Sequence, residues 1–128
     1  MRIFKNKAFA RFARKERIAD ALLRATVASI DKGLVDADLG GGIIKQRIAR
    51  AGAGKSGGFR VLIVIKLGER AFFVHGFAKN ERDNIRDDEL SAVKKLADEL
   101  LRYDDTALAH ALANGALIEV TGGEEAIP

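Results

Sequence analysis

Cysteine is absent from the 128-residue chain, which excludes disulfides and thiolate metal sites while leaving the redox compartment open. Histidine occurs twice, at His75 and His110, and that separation argues against a zinc site. No long apolar run is present. The longest wholly aliphatic stretch, Val61 to Ile65, falls far short of the about 20 residues that a membrane helix needs. The opening MRIFKNKAFARFARKER lacks the apolar centre of a secretion signal, so a cytoplasmic protein with no membrane partner is expected. There is no internal repeat, and neither a carboxylate pair nor a Ser/His/Asp set stands out.

With 48% hydrophobic residues and a single proline, the chain fits one domain, expected over residues 1–120 with a flexible tail at 121–128. The net charge of +4 conceals an asymmetry. Residues 1–82 carry 18 Lys and Arg against 7 Asp and Glu, whereas residues 83–128 carry 4 against 11. A basic portion of this kind suits a polyanion, because neutralising phosphates releases counterions. The more ordinary reading is a solvated charged surface, and only the positions of the cations decide between the two.

Arg2–Phe4 reads as a short strand and residues 7–16 as a helix with Phe9, Phe12 and Ala13 on one face. Ile18, Leu22, Val27 and Ile30 mark a second helical stripe over 18–32, which Gly33 ends. After a loop at 34–42, LVDADLGGG, the pattern turns to β in three runs: Ile43–Arg50, Phe59–Leu67 and Ala71–Lys79. Short connections make an antiparallel meander of them, with FRVLIVIKL central and buried on both sides. The first run alternates Ile44 and Ile48 against Lys45 and Arg47, so one sheet face turns polar. Residues 87–102 return to helix with Asp87 or Asp88 as cap; a short helix follows at about 105–113, then a strand over Ala116–Val120.

Ala49–Ser56, ARAGAGKS, ends in Gly-Lys-Ser like a nucleotide-binding P-loop. It lacks that motif's first glycine, and Gly57-Gly58 lead into a strand rather than a helix, so a hairpin loop carrying one lysine is expected instead. Strand pairing is more informative. A tight turn at 68–70 brings Arg60 within two positions of Lys79. Across the 51–58 loop, Arg60 is expected near Ala49 and Arg50, with Arg47 on the neighbouring strand, Lys55 in the loop and Arg82 just beyond. Such charges repel by roughly a kcal/mol per exposed pair at contact distance, a cost that a bound anion offsets. Arg60 is the leading candidate, since a guanidinium holds a phosphate in a rigid fork and stabilises charge building on it. Its ordinary alternative is an ion pair, with Glu81 as a partner. Lys79 is read either as a base with a lowered pKa or as a phosphate contact. His75 is expected to share a side with Phe73, Phe77 and Lys79, either as a catalytic group or as a packed sheet residue; His110 has the weaker claim.

Gly57-Gly58-Phe59-Arg60-Val61 before an aliphatic strand, with Phe77-Ala78-Lys79-Asn80-Glu81-Arg82 closing the next, resembles the HigB-like branch of the RelE/ParE toxin superfamily. LANGALIEV near the end is similar to that branch too, and the likeness runs from about Ile3 to Val120. The resemblance implies an α+β fold with two N-terminal helices on a twisted antiparallel sheet, followed by C-terminal helices. It implies the toxin of a type II toxin–antitoxin system that cuts mRNA on the ribosome without metal or cofactor, by attack of a ribose 2′-OH on the adjacent phosphate. Its partners would be a cognate antitoxin, in a hetero-oligomer, and the ribosome with its mRNA.

By the same resemblance Arg60, Lys79 and Arg82 are catalytic, while Lys45, Arg47, Arg50, Lys55 and Asn80 contact RNA. The chain departs from some relatives at Ile85 or Arg86, where they have a tyrosine, and at Asn80, where they have another arginine. Two other readings remain: a ParE-like inhibitor of DNA gyrase, and a non-catalytic nucleic-acid-binding module.

Overall fold

The computed structural model describes residues 1–49, 58–81 and 84–121. Most of the P-loop-like segment and of the expected 121–128 tail therefore lies outside the described residues. In chain order the elements are β1 (Arg2–Asn6), α1 (Lys7–Glu16), α2 (Asp20–Asp31), β2 (Ala37–Gly40) and β3 (Ile43–Ile48). There follow β4 (Phe59–Lys66), β5 (Arg70–Ala78), α3 (Asp87–Leu101), α4 (Asp105–Ala113) and β6 (Leu117–Val120).

Local chemistry sets the helix boundaries. Asn6 opens α1 by accepting the Phe9 N–H at 2.8 Å, and Asp104 opens α4 by accepting that of Ala107 at 2.8 Å. At the other end of α1, Arg17 adopts φ 58° and the Ile18 N–H returns to Ala13 O at 2.8 Å. The stripe of α2 is Leu23, Val27 and Ile30, all buried, whereas Leu22 is exposed. The expected placing of Leu22 inward fails because Ile18, though buried, precedes the helix rather than beginning its face.

The strands form one sheet in the order β2-β3-β4-β5-β1-β6. The meander β3-β4-β5 is antiparallel, as its short connections require. β1 enters between β5 and β6 and runs parallel to β5, so the α+β sheet is mixed at this one junction. β2 lies within the expected loop, pairing with β3 through a register shift at Asp38–Gly40. Its Gly- and Asp-rich sequence carries no strand signal, and Gln46 ties the preceding segment down by donating to Leu34 O at 2.8 Å and accepting from the Asp36 N–H at 3.0 Å.

Each face of the sheet carries a core. Val61, Ile63, Ile65 and Phe73 meet α1 and α2 through Phe9, Leu23 and Val27. Leu62, Val64, Phe72 and Phe4 meet α3 and α4 through Val93, Ala97, Leu100 and Leu108. This double burial explains why β4 is almost continuously aliphatic, and each of its buried Val, Leu or Ile side chains contributes roughly 1.5–3 kcal/mol.

Candidate functional site

At one end of the face bearing α3 and α4, the described residues leave Arg47 exposed and Arg60 and Lys79 half-buried. The register sets Arg47 directly opposite Arg60, and Arg60 opposite Phe77. One row inward stand Lys45, Leu62 and His75. Side chains paired in this way have Cβ atoms about 4.5–5.5 Å apart. Lys79 follows β5 immediately, its N–H donating to Gly58 O at 3.0 Å, which places it beside the Arg60 row. Lys45, Arg47, Arg60 and Lys79 are thus gathered at one sheet end. Arg47, expected close by on the neighbouring strand, is the residue directly opposite Arg60, and Ala49 lies two residues further along the same strand direction.

Side-chain partners separate these cations. Arg47 donates its N–H to Asp36 Oδ2 at 2.6 Å and its guanidinium lies 3.5 Å from Asp36 Oδ1. Lys45 Nζ donates to Asn84 Oδ1 at 3.4 Å. Arg60 is half-buried, and among the described residues its side chain makes one long bond, to its neighbour's carbonyl, Phe59 O at 3.4 Å. Among the described residues it pairs with no carboxylate, Glu81 included. A cleft of about 770 Å³ opens beside it, lined by Asp36, Gln46, Arg47, Ile48 and Gly58 among others. Asn80 is exposed in the turn after β5. Arg50, Lys55 and Arg82 lie outside the described residues.

His75 does not share a side with Phe73. A register shift between Leu62 and Ile63 adds one residue to β5, so Phe73 joins the α1 core while His75 and Phe77 face the α3 side. There His75 Nε2 lies 3.7 Å from Glu89 Oε2, and its ring centroid 6.1 Å from that of Phe77. Glu89 was not anticipated. Asp87 and Asp88 are the expected caps, yet Arg86 is the N-cap and Glu89 Oε1 accepts its N–H at 3.0 Å. The spacing Arg86-x-x-Glu89 is that of a capping pair and is the signal that could have found it. Asp88 instead binds the Arg86 guanidinium at 3.2 Å, which holds its carboxyl below the usual range. Among the described residues no group of three or more His, Asp or Glu is placed to hold a metal ion, and no helix is long and apolar enough to cross a membrane.

Residues 1–120 match the model of one protein family, described as the RelE toxin of the RelE/RelB toxin–antitoxin system. The chain belongs to the RelE toxin family. It is therefore a toxin of a toxin–antitoxin system, and its partner is an antitoxin. No curated protein matches the chain. The architecture gives this RelE toxin's Gly-Phe-Arg segment a physical reason: a Cβ on Gly58 would lie 2.8 Å from Ile48 O, so only glycine lets β3 and β4 close up just before Arg60. A half-buried guanidinium beside a second arginine and a lysine can grip one phosphate through several charge-assisted bonds and stabilise charge that grows on it.

Proposed function

We propose that this toxin is an endoribonuclease of the HigB-like branch that cuts mRNA on the ribosome in the cytoplasm. The observation that carries this reading is Arg60, directly opposite Arg47, close to Lys79 and without a carboxylate partner among the described residues. Asp36 meets Arg47 but not Arg60, and two arginines side by side on adjacent strands favour a further anion on Arg60. In the proposed step the ribose 2′-hydroxyl gives up its proton to solvent as its oxygen bonds to the adjacent phosphorus. The bond from phosphorus to the 5′-oxygen breaks and that oxygen takes up a proton from solvent, leaving a 2′,3′-cyclic phosphate and a 5′-hydroxyl. Arg60, Lys79 and Arg82 stabilise the charge on the phosphoryl oxygens, while Lys45, Arg47, Arg50, Lys55 and Asn80 hold the flanking RNA. Positioning by the ribosome supplies the alignment.

Primer-extension mapping on translating ribosomes tests it. Arg60→Ala and Lys79→Ala should each lower cleavage by about 10²–10³, the usual loss when one donor to a developing oxyanion is removed, with circular dichroism unchanged. Undiminished cutting by both variants would overturn the site. Supercoiling by DNA gyrase should be unaffected, and its inhibition without RNA cleavage would identify a ParE-like activity instead.

A further inference from the structure

The second concentration of charge lies away from this site, on α1. Lys7, Arg11, Arg14, Lys15 and Arg17 are all exposed, over a helix whose only acidic residue is Glu16. None of the five forms an ion pair with a described residue. Elsewhere Arg2, Lys5, Arg47, Lys66, Arg70 and Arg86 each meet a carboxylate within 3.7 Å. Arg24, Lys32, Lys94, Lys95 and Arg102 are also without an ion pair to a described residue, but they are not gathered five to one short segment as those of α1 are. Asp20, the acid that follows α1, is engaged by Lys5 at 3.0 Å. Arg11 sits four residues from Lys7 and from Lys15 and three from Arg14, so like charges neighbour one another along the helix.

The helix dipole accounts for Arg14 and Lys15 in the last turn but opposes Lys7 in the first, where α1 carries no acid. Arg17 is more telling. It occupies a left-handed position, φ 58°, that glycine adopts without strain, and it is the one described non-glycine residue with positive φ. Backbone comfort is given up there while a cation is kept.

We infer that the solvent face of α1 is a second phosphate-binding surface, which seats the toxin on the backbone of structured ribosomal RNA. This rests on the ribosome-dependent reading above. A membrane surface does not fit, because the apolar face of the helix, Phe9, Ala10 and Ala13, is already buried against the sheet. The surface is also continuous with the first site. Lys15, Glu16, Arg17, Ala49 and Phe59 are among the residues lining one cleft of about 690 Å³, and Ala49 also lines the cleft beside Arg60. One polyanion can thus be held on both sides of the same sheet end, with a strand at Arg60 and a duplex backbone along α1.

The test is binding of full-length toxin to purified ribosomes across a salt series, in an Arg60→Ala background so that RNA stays intact. Arg11→Gln/Arg14→Gln/Lys15→Gln should weaken binding and lower the slope of log K against log salt by roughly three, at about 0.9 per neutralised phosphate. Arg17→Gly should bind more weakly while its thermal midpoint is unchanged or raised, which a merely structural role for Arg17 does not allow. Equal binding by parent and triple variant would overturn the inference alone, as would a loss confined to antitoxin binding. A wild-type toxin that neither cuts on ribosomes nor binds them would overturn the cleavage reading together with this one.

Discussion

At Gly76 a methyl group has no room. A Cβ there would lie 2.5 Å from Phe12 Cε2, because α1 lays that ring on the strand, edge-on to Phe59 with centroids 5.7 Å apart and beside Phe9 at 5.8 Å. Gly76→Ala should therefore destabilise by about 1–3 kcal/mol, the usual cost of overpacking. Urea denaturation measures it, and a change under about 0.5 kcal/mol would mean that the ring moves aside freely. Residues of this kind are hard to read in advance, since a glycine in a strand shows no partner until the helix above it is placed. Arg60 and Lys79 were legible together because a three-residue turn fixes the register that joins them. Arg47 opposite Arg60 was not, because a longer connection leaves the register free. The pairing of His75 with Glu89 was hidden by one extra residue in β5, which exchanges the faces of every side chain beyond it.

Among the elements, β1 and β6 are clamped by charge. Arg2 Nε and Nη2 donate to the two carboxylate oxygens of Glu119 at 2.9 and 2.8 Å. This holds the Glu119 carboxyl below its usual range and raises the Arg2 guanidinium above its own. A carboxyl whose pKa is lowered by folding adds stability above its unfolded value, roughly 4.3, and loses it as pH falls through the lower folded value. Both side chains are partly exposed, so the contribution is about 0.5–1 kcal/mol. Glu119→Gln should be less stable than the parent by that amount at neutral pH, and the gap should fade below about pH 4. A gap that persists in acid would assign the effect to packing. β5 is tied to the turn between α3 and α4 by Arg70, a buried guanidinium that donates to Tyr103 O at 2.8 Å and to Asp105 Oδ1 at 2.6 Å. α1 and α3 were readable from their apolar spacing, α2 with Leu22 set on the wrong face, and α4 only as a short helix before Asn114-Gly115. β2 was not, since Ala-Asp-Leu-Gly takes strand form only because β3 offers it an edge.

For the whole molecule, the sheet is a wall shared by two cores, with alternate residues of β4 in each. Neither core survives loss of that wall, so unfolding should be a single cooperative transition. Far-UV circular dichroism and the fluorescence of Tyr103, which packs on the α3 core, should give the same urea midpoint; separated midpoints would show that one face unfolds alone. The acidic end of the chain supplies α3 and the start of α4, where Asp87, Asp88, Asp98, Glu99, Asp104 and Asp105 are exposed and outnumber Lys94, Lys95 and Arg102, while α1 and the sheet end at Arg47 and Arg60 carry an excess of cations. Composition told of this division, and only the topology located it. The place of β1 has a consequence for birth order. β1 is an interior strand, flanked on one side by residues 70–73 and on the other by residues 117–120. Its second neighbour, β6, follows every other described strand in the chain, so β1 must wait for it until all of them have been made. The sheet of this toxin therefore closes around β1 only after α3 and α4 have emerged between them.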